Sequence, residues 1–584
     1  MKRNKFSIFK LFNFCIAATL LLTACSDEHM ESVNTDETKT AVIDPNAQLT
    51  TSLLQTYGDF TMVNFYRCYV SGFTQHFSGN WNIVNYAGSV FPEDATMCLL
   101  WDGLYPKAIN NVTDAISRSA DKPNVNAALR IHRVYLMSVL TDIYGDIPYF
   151  DAGKGLQGLS NPKYDTQESI YNDFFEELKA CVDQLGTGTD RISGDVTSLN
   201  GSTDAWRKYA NSLRMRFAMR ISDVNPAKAK TEFEAAVKDA AGYIATEDDD
   251  AYIKYMDAPI TKNEGANDYD FRYNAFSAIL YGQDITQPMF VSSTLYEILK
   301  NLNDPRLDRI CRHYVNARRS DLKPDYTGTV DLTKEMQNYF NSKGLGEMPC
   351  EPGQAWYNDW KSNYPTSAED FALVPTLKQL IDTYPNAGFG ADDSLERLLR
   401  LMLAVDFEMV DCPGTLINSG EVEYLLAEAK LKGWDVPGTK EKHFTDGVKA
   451  SLKWLNTHYL SSRDKMSDAE IDSYVNSLTL GTTDEEAKEA INTQAWILHM
   501  MNPAEAWSNL RRSDYPVLKD RENLPTYSGF SGGDTNQKTP TRIRYPLFEN
   551  QYNHANYMDA LDRMGGTDDW HKPLWWDKYD IHVK

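Results

Sequence analysis

The longest apolar patterns in the chain have the three- and four-residue spacing of amphipathic helices. In residues 203–222 the apolar positions form one stripe, made of Trp206, Tyr209, Ala210, Leu213, Phe217 and Ile221. A stripe of this kind predicts a helix that buries one face. Ser202 or Thr203 can cap the start, and Asp204 lies favourably in the first turn. Arginines lie mostly off the stripe, and an ion-paired or solvated helix face explains them better than an anion site.

The same spacing predicts six further helices, at residues 124–144, 165–185, 225–244, 419–434, 441–460 and 484–500. Local signals mark several of their ends. Asp165 and Glu168 have the spacing of a capping-box variant, and Pro226 after Asn225 suits a first helical turn. Gly433 follows the last apolar position of its helix, where a left-handed residue commonly ends a helix.

Neighbouring helices of similar length, with alanine at close-contact positions, suggest helical hairpins of the tetratricopeptide type. The repeat period is irregular because long segments separate the pairs. These segments are rich in glycine, asparagine and aromatic residues and cover residues 71–92, 255–292, 320–370 and 521–550. Segments of this length often carry binding residues. The pattern therefore predicts a mostly α-helical fold with long irregular loops and a few short strands.

The first 24 residues have the pattern of a bacterial lipoprotein signal peptide. A basic start precedes an apolar run at residues 11–22, which is too short to span a bilayer comfortably. Leu22-Thr23-Ala24-Cys25 then matches a lipobox, in which a small residue precedes the cysteine that receives lipid. An ordinary signal peptide with a chance cysteine is the alternative. We expect residues 1–24 to be removed and Cys25 to carry fatty acyl chains such as palmitate, which anchor the chain to a membrane.

Residues 25–45 are polar with little periodicity, which predicts a flexible tether between the lipid and a single domain at residues 46–584. The acidic run Ser26-Asp27-Glu28 resembles the surface-export signal of Bacteroidetes-type lipoproteins. That resemblance implies a domain outside the cell, anchored to the outer membrane. No later run of eighteen apolar residues occurs, so the lipid is expected to be the only membrane attachment.

Charge and cysteine content narrow the function classes. The net charge is −23, and removal of residues 1–24, with four basic and no acidic residues, changes it to −27. Such a surface repels nucleic acid, and the sequence contains no basic stripe. Six cysteines remain after the lipidated one, and none has metal-ligand spacing. Their pairing stays open, and several can be buried free thiols because a chain of this length builds a large core without disulfides.

The sequence contains no motif for nucleophilic, zinc-dependent or phosphate-binding catalysis, so we predict no enzyme activity and no cofactor. A glycosidase needs only two carboxylates, and any two of the 82 acidic residues can supply them, so a secreted glycan hydrolase stays an alternative. Asp142 and Asp146 are expected to accept hydrogen bonds from loop N–H groups at a helix end. The run 247–250 has the donors for Ca²⁺, but a solvated acidic turn is the commoner arrangement. No metal site is predicted.

Two loops combine aromatic side chains with amide groups, as a sugar site requires. Aromatic rings stack on pyranose faces while polar groups bind hydroxyls. The candidate ligand-binding residues are Trp81, Asn82 and Tyr86 in one loop and Trp356, Tyr357, Trp360 and Tyr364 in the other. The alternative is that these rings pack the loops onto the helices. Trp575 and Trp576 near the C-terminus are expected to anchor the tail to the core.

Several segments resemble one family in sequence and order. They are residues 131–155, 162–168, 206–222, 304–307, 421–434, 511–516, 544–546 and 565–578. Together they closely resemble the SusD/RagB nutrient-binding outer-membrane lipoproteins, and more specifically the SusD-like family 2 branch. The resemblance spans about residues 45–580 and agrees with the lipobox.

The resemblance implies a fold with four tetratricopeptide-like helix pairs and an irregular subdomain. It also implies a partner, a SusC-type TonB-dependent outer-membrane β-barrel that the lipoprotein covers as a hinged lid. Family members bind a nutrient, often an oligosaccharide and sometimes a peptide, and pass it to the barrel unchanged. We therefore expect nutrient binding and delivery. A glycan hydrolase and a structural lid that binds no ligand are the alternatives.

Overall fold

The structure is a computed structural model that describes residues 43–78, 94–256, 271–280, 289–315, 330–347, 349–352, 367–383, 401–519 and 538–578. The predicted boundaries of the signal peptide and the tether stay predictions. The described residues from Pro45 onward belong to one compact unit. Within the described ranges, no helix combines the length and the apolar character needed to span a bilayer.

Helices dominate the described chain. Those of eight or more residues are Pro45–Leu54 (α1), Asn110–Ser117 (α2), Pro123–Tyr144 (α3), Gln167–Gln184 (α4), Thr203–Arg220 (α5), Pro226–Lys238 (α6), Ser293–Asn301 (α7), Thr333–Lys343 (α8), Pro375–Thr383 (α9), Ser419–Leu431 (α10), Lys440–His458 (α11), Asp468–Ser477 (α12), Asp484–Leu498 (α13), Pro503–Ser513 (α14) and His554–Arg563 (α15). Shorter α-helices are Phe60–Phe65, Ser71–Phe73, Asp94–Met97, Leu99–Leu104, Ala275–Leu280, Leu307–Ile310, Ala368–Leu373 and Glu549–Tyr552. Two π-helical turns, Tyr66–Val70 and Tyr105–Ile109, and four 3-10 turns, Gly155–Gln157, Glu247–Asp249, Val405–Glu408 and His499–Met501, complete the helical set.

The long helices begin where the capping signals predict, with one exception. The Ser202 hydroxyl accepts a hydrogen bond from the Ala205 N–H at the start of α5, and Asn225 caps α6 ahead of Pro226. Gly433, two residues after the end of α10, adopts a left-handed conformation. These ends are set by contacts within one turn, so a local pattern is sufficient to predict them.

The capping box predicted for Asp165 and Glu168 is wrong. Thr166 caps α4 instead, because its hydroxyl accepts from the Ser169 N–H. The Asp165 carboxylate accepts from the N–H groups of Tyr149 and Phe150, which belong to the preceding loop. A tertiary contact across a short strand pair therefore takes the side chain away from the helix.

Strands in the described chain are short and antiparallel. They are Phe77–Ser78 (β1), Ile147–Pro148 (β2), Tyr164–Asp165 (β3), Ala251–Ile253 (β4), Phe290–Val291 (β5), Cys311–Arg312 (β6), Tyr314–Val315 (β7), Val330–Asp331 (β8), Met402–Leu403 (β9) and Gly414–Ile417 (β10). The largest sheet has the order β1-β5-β9-β6, and Ser78 lies opposite Phe290 in its register. β10 pairs with β4, β2 with β3, and β7 with β8.

Consecutive helices pack against one another as hairpins, which confirms the predicted fold class. α3 packs on α4, α5 on α6, α10 on α11, and α13 on α14. One large apolar core joins these pairs, with Trp206, Trp496, Trp507 and Trp576 among its fully buried side chains. The buried Trp576 confirms that the C-terminal segment is anchored to the core. All six cysteines that follow the predicted lipidation site are buried as well.

Buried ion pairs tie the hairpins together. Arg216 on α5 forms a bidentate pair with Glu421 on α10, at 2.5 and 2.7 Å. Arg512 on α14 forms another with Glu428 on α10, at 2.6 and 2.8 Å. The prediction of an ion-paired face on α5 is confirmed, but Arg214, Arg216 and Arg220 on this face are buried and not solvated.

Candidate functional site

The predicted ligand-binding residues lie outside the described residues. This holds for Trp81, Asn82 and Tyr86, for Trp356, Tyr357, Trp360 and Tyr364, and for the predicted lipidation site Cys25. The structure does describe the residues that lead into both aromatic segments. These flanking residues are the part of the candidate site that can be built from geometry.

The two aromatic segments start from the same place. Ser78 is the last described residue before the first segment, and Glu351 lies one residue before the described chain stops ahead of the second. The Ser78 hydroxyl donates a 2.8 Å hydrogen bond to the Glu351 carbonyl oxygen. On the same side, the Ser293 N–H at the start of α7 donates to the Cys350 carbonyl at 2.8 Å. The edge of the largest sheet and the start of α7 therefore hold the bases of both segments.

A third segment joins them at Lys519, the last described residue before 520–537. Its ammonium group lies 2.9 Å from a Glu351 carboxylate oxygen and 2.9 Å from a Glu297 carboxylate oxygen. It also donates to the Ser293 hydroxyl at 2.7 Å, and that hydroxyl donates to Glu351 at 2.6 Å. We call the residues Gln75, Ser78, Ser293, Glu297, Glu351 and Lys519 the loop base.

Gln75 is a buried residue of the loop base whose side chain binds both Thr294 and Lys519. Its side-chain oxygen accepts from the Thr294 hydroxyl at 2.6 Å and from the Lys519 N–H at 3.1 Å, and its amide nitrogen donates to the Lys519 carbonyl at 2.8 Å. Its backbone φ is +55°, a conformation that costs a non-glycine residue roughly 1–2 kcal/mol. The three hydrogen bonds offset that cost, so the conformation serves to position the side chain.

His76 fixes the loop base to the helical core. Its ring stacks on Trp496 of α13 with centroids 4.0 Å apart and an 18° angle between planes. The Nε2 atom lies 2.9 Å from the Trp496 carbonyl oxygen and donates to it. Burial lowers the pKa of His76 to about 3, so the imidazole is neutral at pH 7. A neutral, enclosed ring of this kind supports the backbone and has no access to a ligand.

The loop base carries one positive and two negative side chains that are partly open to solvent. Burial alone would lower the pKa of Lys519, but hydrogen bonds and charge from Glu351 and Glu297 raise it overall. The ammonium group therefore keeps its proton at pH 7 and cannot act as a neutral nucleophile. The arrangement suits hydrogen bonding and the positioning of loops.

The other acidic candidates have structural partners. Asp146 accepts from the Gln167 N–H at 2.9 Å, so it does bind a backbone N–H as predicted, but that donor is the first residue of α4 and not a loop residue. For Asp142 the predicted partner is wrong, because its carboxylate accepts from the Tyr171 hydroxyl at 2.6 Å and the Trp576 indole at 2.9 Å. Through these two contacts Asp142 links Trp576 in the C-terminal segment to Tyr171 on α4.

One buried group has the donor set of a metal site. Glu421, His499 and Glu505 bring their ligand atoms close together. Both carboxylates are already paired, Glu421 with Arg216 and Glu505 with Arg220 at 2.7 Å. A divalent cation there would lie against two guanidinium groups, so the arrangement fits an ion-pair network and not a metal centre.

Comparisons with known proteins agree with this architecture. The family model described as "Starch-binding associating with outer membrane" matches residues 37–349, and the model described as "Susd and RagB outer membrane lipoprotein" matches residues 388–577. Among curated proteins the chain has no significant match.

Solved structures match along nearly the whole chain. A structure described as "Bacteroidetes AC2a SusD-like" is 36% identical with a TM-score of 0.80, covering 92% of this chain and all of the other. A structure described as a chitin-binding protein is 31% identical with a TM-score of 0.69, also over 92% of this chain and all of the other. A chitin-binding SusD homologue from Flavobacterium johnsoniae is 21% identical with a TM-score of 0.65, over 91% of this chain and 99% of the other, and shows the fold alone. The chain belongs to the SusD/RagB family of outer-membrane lipoproteins.

Proposed function

We propose that this protein is a surface-exposed lipoprotein that binds an oligosaccharide and delivers it to a SusC-type TonB-dependent transporter. Family membership supports an outer-membrane binding role. The observation that carries the ligand proposal is the Ser78–Glu351 hydrogen bond, because it brings together the bases of the two aromatic segments.

Because few residues separate this contact from the first tryptophan of each segment, chain length limits how far those tryptophans can lie from it. A residue spans at most about 3.6 Å, so three residues from Ser78 to Trp81 reach at most about 11 Å. Five residues from Glu351 to Trp356 reach at most about 18 Å by the same limit. The first tryptophan of each cluster therefore stays within these distances of the Ser78–Glu351 contact, which supports the proposal that both clusters serve a single ligand.

A combination of aromatic rings and amides suits carbohydrate. Rings supply flat apolar area for the faces of a sugar, and amide and hydroxyl groups bind its edges. Chitin oligosaccharides are the first ligands to test, since a relative 31% identical over 92% of the chain is described as chitin-binding. Binding without turnover is part of the proposal, and membership of a family of binding lipoproteins supports it.

The binding proposal is tested by calorimetric titration of the mature, full-length chain with oligosaccharides of chitin, starch and cellulose. We expect micromolar affinity for one class and no cleavage products in the same mixtures. The double variant Trp356→Ala and Trp360→Ala should weaken binding by about tenfold or more without lowering the melting temperature. Tyr552→Ala is the matched control, because this tyrosine is 75% exposed on a separate helix. Unchanged affinity in the double variant removes that segment from the site.

Delivery is tested separately, by purifying the tagged, lipidated protein from native outer membranes in mild detergent. We expect a TonB-dependent β-barrel in equal amount in the mass spectrum. A protein that is purified alone contradicts the transport proposal and leaves the binding proposal to the titration.

A further inference from the structure

A second cavity lies away from the loop base, where the end of α11 meets β4 and the acidic turn that precedes it. Its volume is about 310 Å³. The lining consists of Ser198, Glu247, Asp248, Asp250, Tyr252, Trp454, Thr457 and His458. Ligand pockets commonly range from about 300 to about 1,000 Å³, so this one has room for one or two sugar residues.

Three aromatic rings form one wall of the cavity. The Trp454 and His458 rings lie 4.0 Å apart, and Tyr252 meets His458 edge-on at 4.7 Å between centroids. Tyr252 meets Trp454 edge-on as well, at 5.5 Å. The wall is therefore a rigid cluster in which each ring is held by the other two.

The rest of the cavity is fixed by hydrogen bonds. The Ser198 hydroxyl donates to the Asp250 carbonyl at 2.5 Å and accepts from the Tyr252 N–H at 3.0 Å. The Asp250 carboxylate accepts from the Ser419 N–H at 2.6 Å, which ties the acidic turn to the start of α10. Lys453 pairs with Glu247 at 2.8 Å on the outer side. A cavity braced by a strand, two helices and a turn is pre-organised for a ligand.

Four polar groups on the cavity lining make no hydrogen bond or ion pair within the described chain. They are the Tyr252 hydroxyl, the Thr457 hydroxyl, the Asp248 carboxylate and the His458 imidazole. Burial lowers the pKa of His458 to about 4, so its ring is neutral at pH 7 and offers one donor and one acceptor. Two hydroxyls, a neutral imidazole and a carboxylate together match the mixed donors and acceptors of a sugar.

We propose that this cavity is a second saccharide subsite, which takes a neutral or amine-bearing sugar residue and rejects anionic sugars. The selectivity follows from Asp248, whose carboxylate would repel a uronate or sulfate group, whereas Glu247 is offset by Lys453. The subsite rests on the proposed function, since a chain that binds glycans at the loop base can hold a second part of the same polymer here. Two linked weak contacts on one polymer raise the overall affinity by increasing the effective concentration.

The test is a labelling experiment on His458 in the intact mature chain. Diethyl pyrocarbonate modifies neutral histidine, and mass spectrometry of peptides reports each site. We expect chitobiose, cellobiose or maltose at millimolar concentration to protect His458, while digalacturonate does not. His554, exposed on α15, is the internal control and should be labelled equally in all samples. Equal labelling of His458 with every sugar overturns the subsite.

Two variants separate this inference from the proposed function. Asp248→Asn, at an exposed position, should shift protection of His458 to about three- to tenfold higher sugar concentration. Trp356→Ala with Trp360→Ala should leave that protection unchanged. Loss of protection in the tryptophan variant would mean that the effect on His458 comes from the loop site. Protection of His458 in a chain that shows no other sugar binding would support the subsite and contradict the loop-base site.

Discussion

The helical scaffold and the loop base both contain paired charges, but in opposite surroundings. In the scaffold, Arg512 and Glu428 are 3% and 2% exposed and form a bidentate pair. In the loop base, Lys519 is 27% exposed and its partner Glu297 is 50% exposed. Buried pairs are intolerant of losing one member, whereas partly exposed pairs adjust through water. The scaffold is therefore the rigid part of the protein and the loop base the adaptable part.

Asp250 differs from both, because it is buried and no arginine of the described chain pairs with it. Burial raises the pKa of Asp250 to about 7, and the hydrogen bond from Ser419 only partly opposes this. For Glu428 burial also disfavours the charge, but Arg512 outweighs it and lowers the pKa to about 2. The cation is thus the feature that decides whether a buried carboxylate stabilises the fold at neutral pH.

The largest effect is expected from Glu428→Gln, which leaves the buried Arg512 guanidinium without its counter-charge. Urea unfolding at pH 7 should show a loss of about 3–5 kcal/mol. Because the pKa of Glu428 is lowered, its contribution is present above about pH 4.5 and is lost as the pH falls through about 2. The difference from the wild type should therefore shrink below pH 3. Asp446→Asn, in the exposed pair with Lys442, is the control and should cost under about 0.5 kcal/mol.

Asp250→Asn is expected to change the stability in the opposite direction. A carboxyl with a raised pKa favours the protonated form in the fold, so wild-type stability falls as the pH rises from about 4 through about 7. The asparagine keeps an acceptor for the Ser419 N–H and carries no charge. It should stabilise the protein by up to about 4 kcal/mol at pH 8.5 and have little effect at pH 4. Equal effects at both pH values would contradict the raised pKa.

Two substitutions of Gln75 separate the cost of backbone strain from the contribution of the side-chain hydrogen bonds in the loop base. Gln75→Ala removes three side-chain hydrogen bonds and should destabilise the region by about 2–3 kcal/mol. Gln75→Gly removes the same bonds but relieves the positive φ, so it should be milder by about 1 kcal/mol. Hydrogen exchange of residues 73–78 and 289–295 measures the loss of local stability in both variants. If glycine and alanine give the same protection, the backbone at Gln75 is unstrained.

Lys519→Met should have the smallest effect on stability, under about 1 kcal/mol, because its ion pairs are partly exposed. Glycan affinity should fall about two- to fivefold, since one of the three segments loses its tie to the others. Added salt should reduce the difference in glycan affinity between variant and wild type, because it screens the ion pairs of the wild type. A variant whose unfolding free energy drops by several kcal/mol would place Lys519 in the rigid scaffold.

Sequence alone predicts the scaffold well, because its signals are local. The apolar stripe of α5, its Ser202 cap and the Gly433 helix end are each set within one or two turns. Where a distant contact competes, the prediction fails. Asp165 bonds to Tyr149 and Phe150 instead of the helix start, and Asp142 bonds to the tail through Trp576. Both failures are cases in which tertiary structure overrides a local preference.

The loop base could not be predicted in the same way. Gln75 and Lys519 are 444 residues apart in the sequence, and neither has a motif around it. A positive φ is usually found at glycine or asparagine, so a glutamine gives no signal for it. The aromatic segments themselves stay a prediction, whereas the convergence of their bases is a result of the three-dimensional structure.

The central claim is that the two aromatic segments serve one ligand above a shared base. The direct test is calorimetric titration of one chitin oligosaccharide, or of the glycan that the first screen selects, into four proteins. These are the wild type, Trp81→Ala, Trp356→Ala with Trp360→Ala, and all three changes combined. The account predicts that each change alone weakens binding about tenfold or more and that the combination abolishes it, with unchanged melting temperatures. Weakening by changes in only one segment would contradict the account.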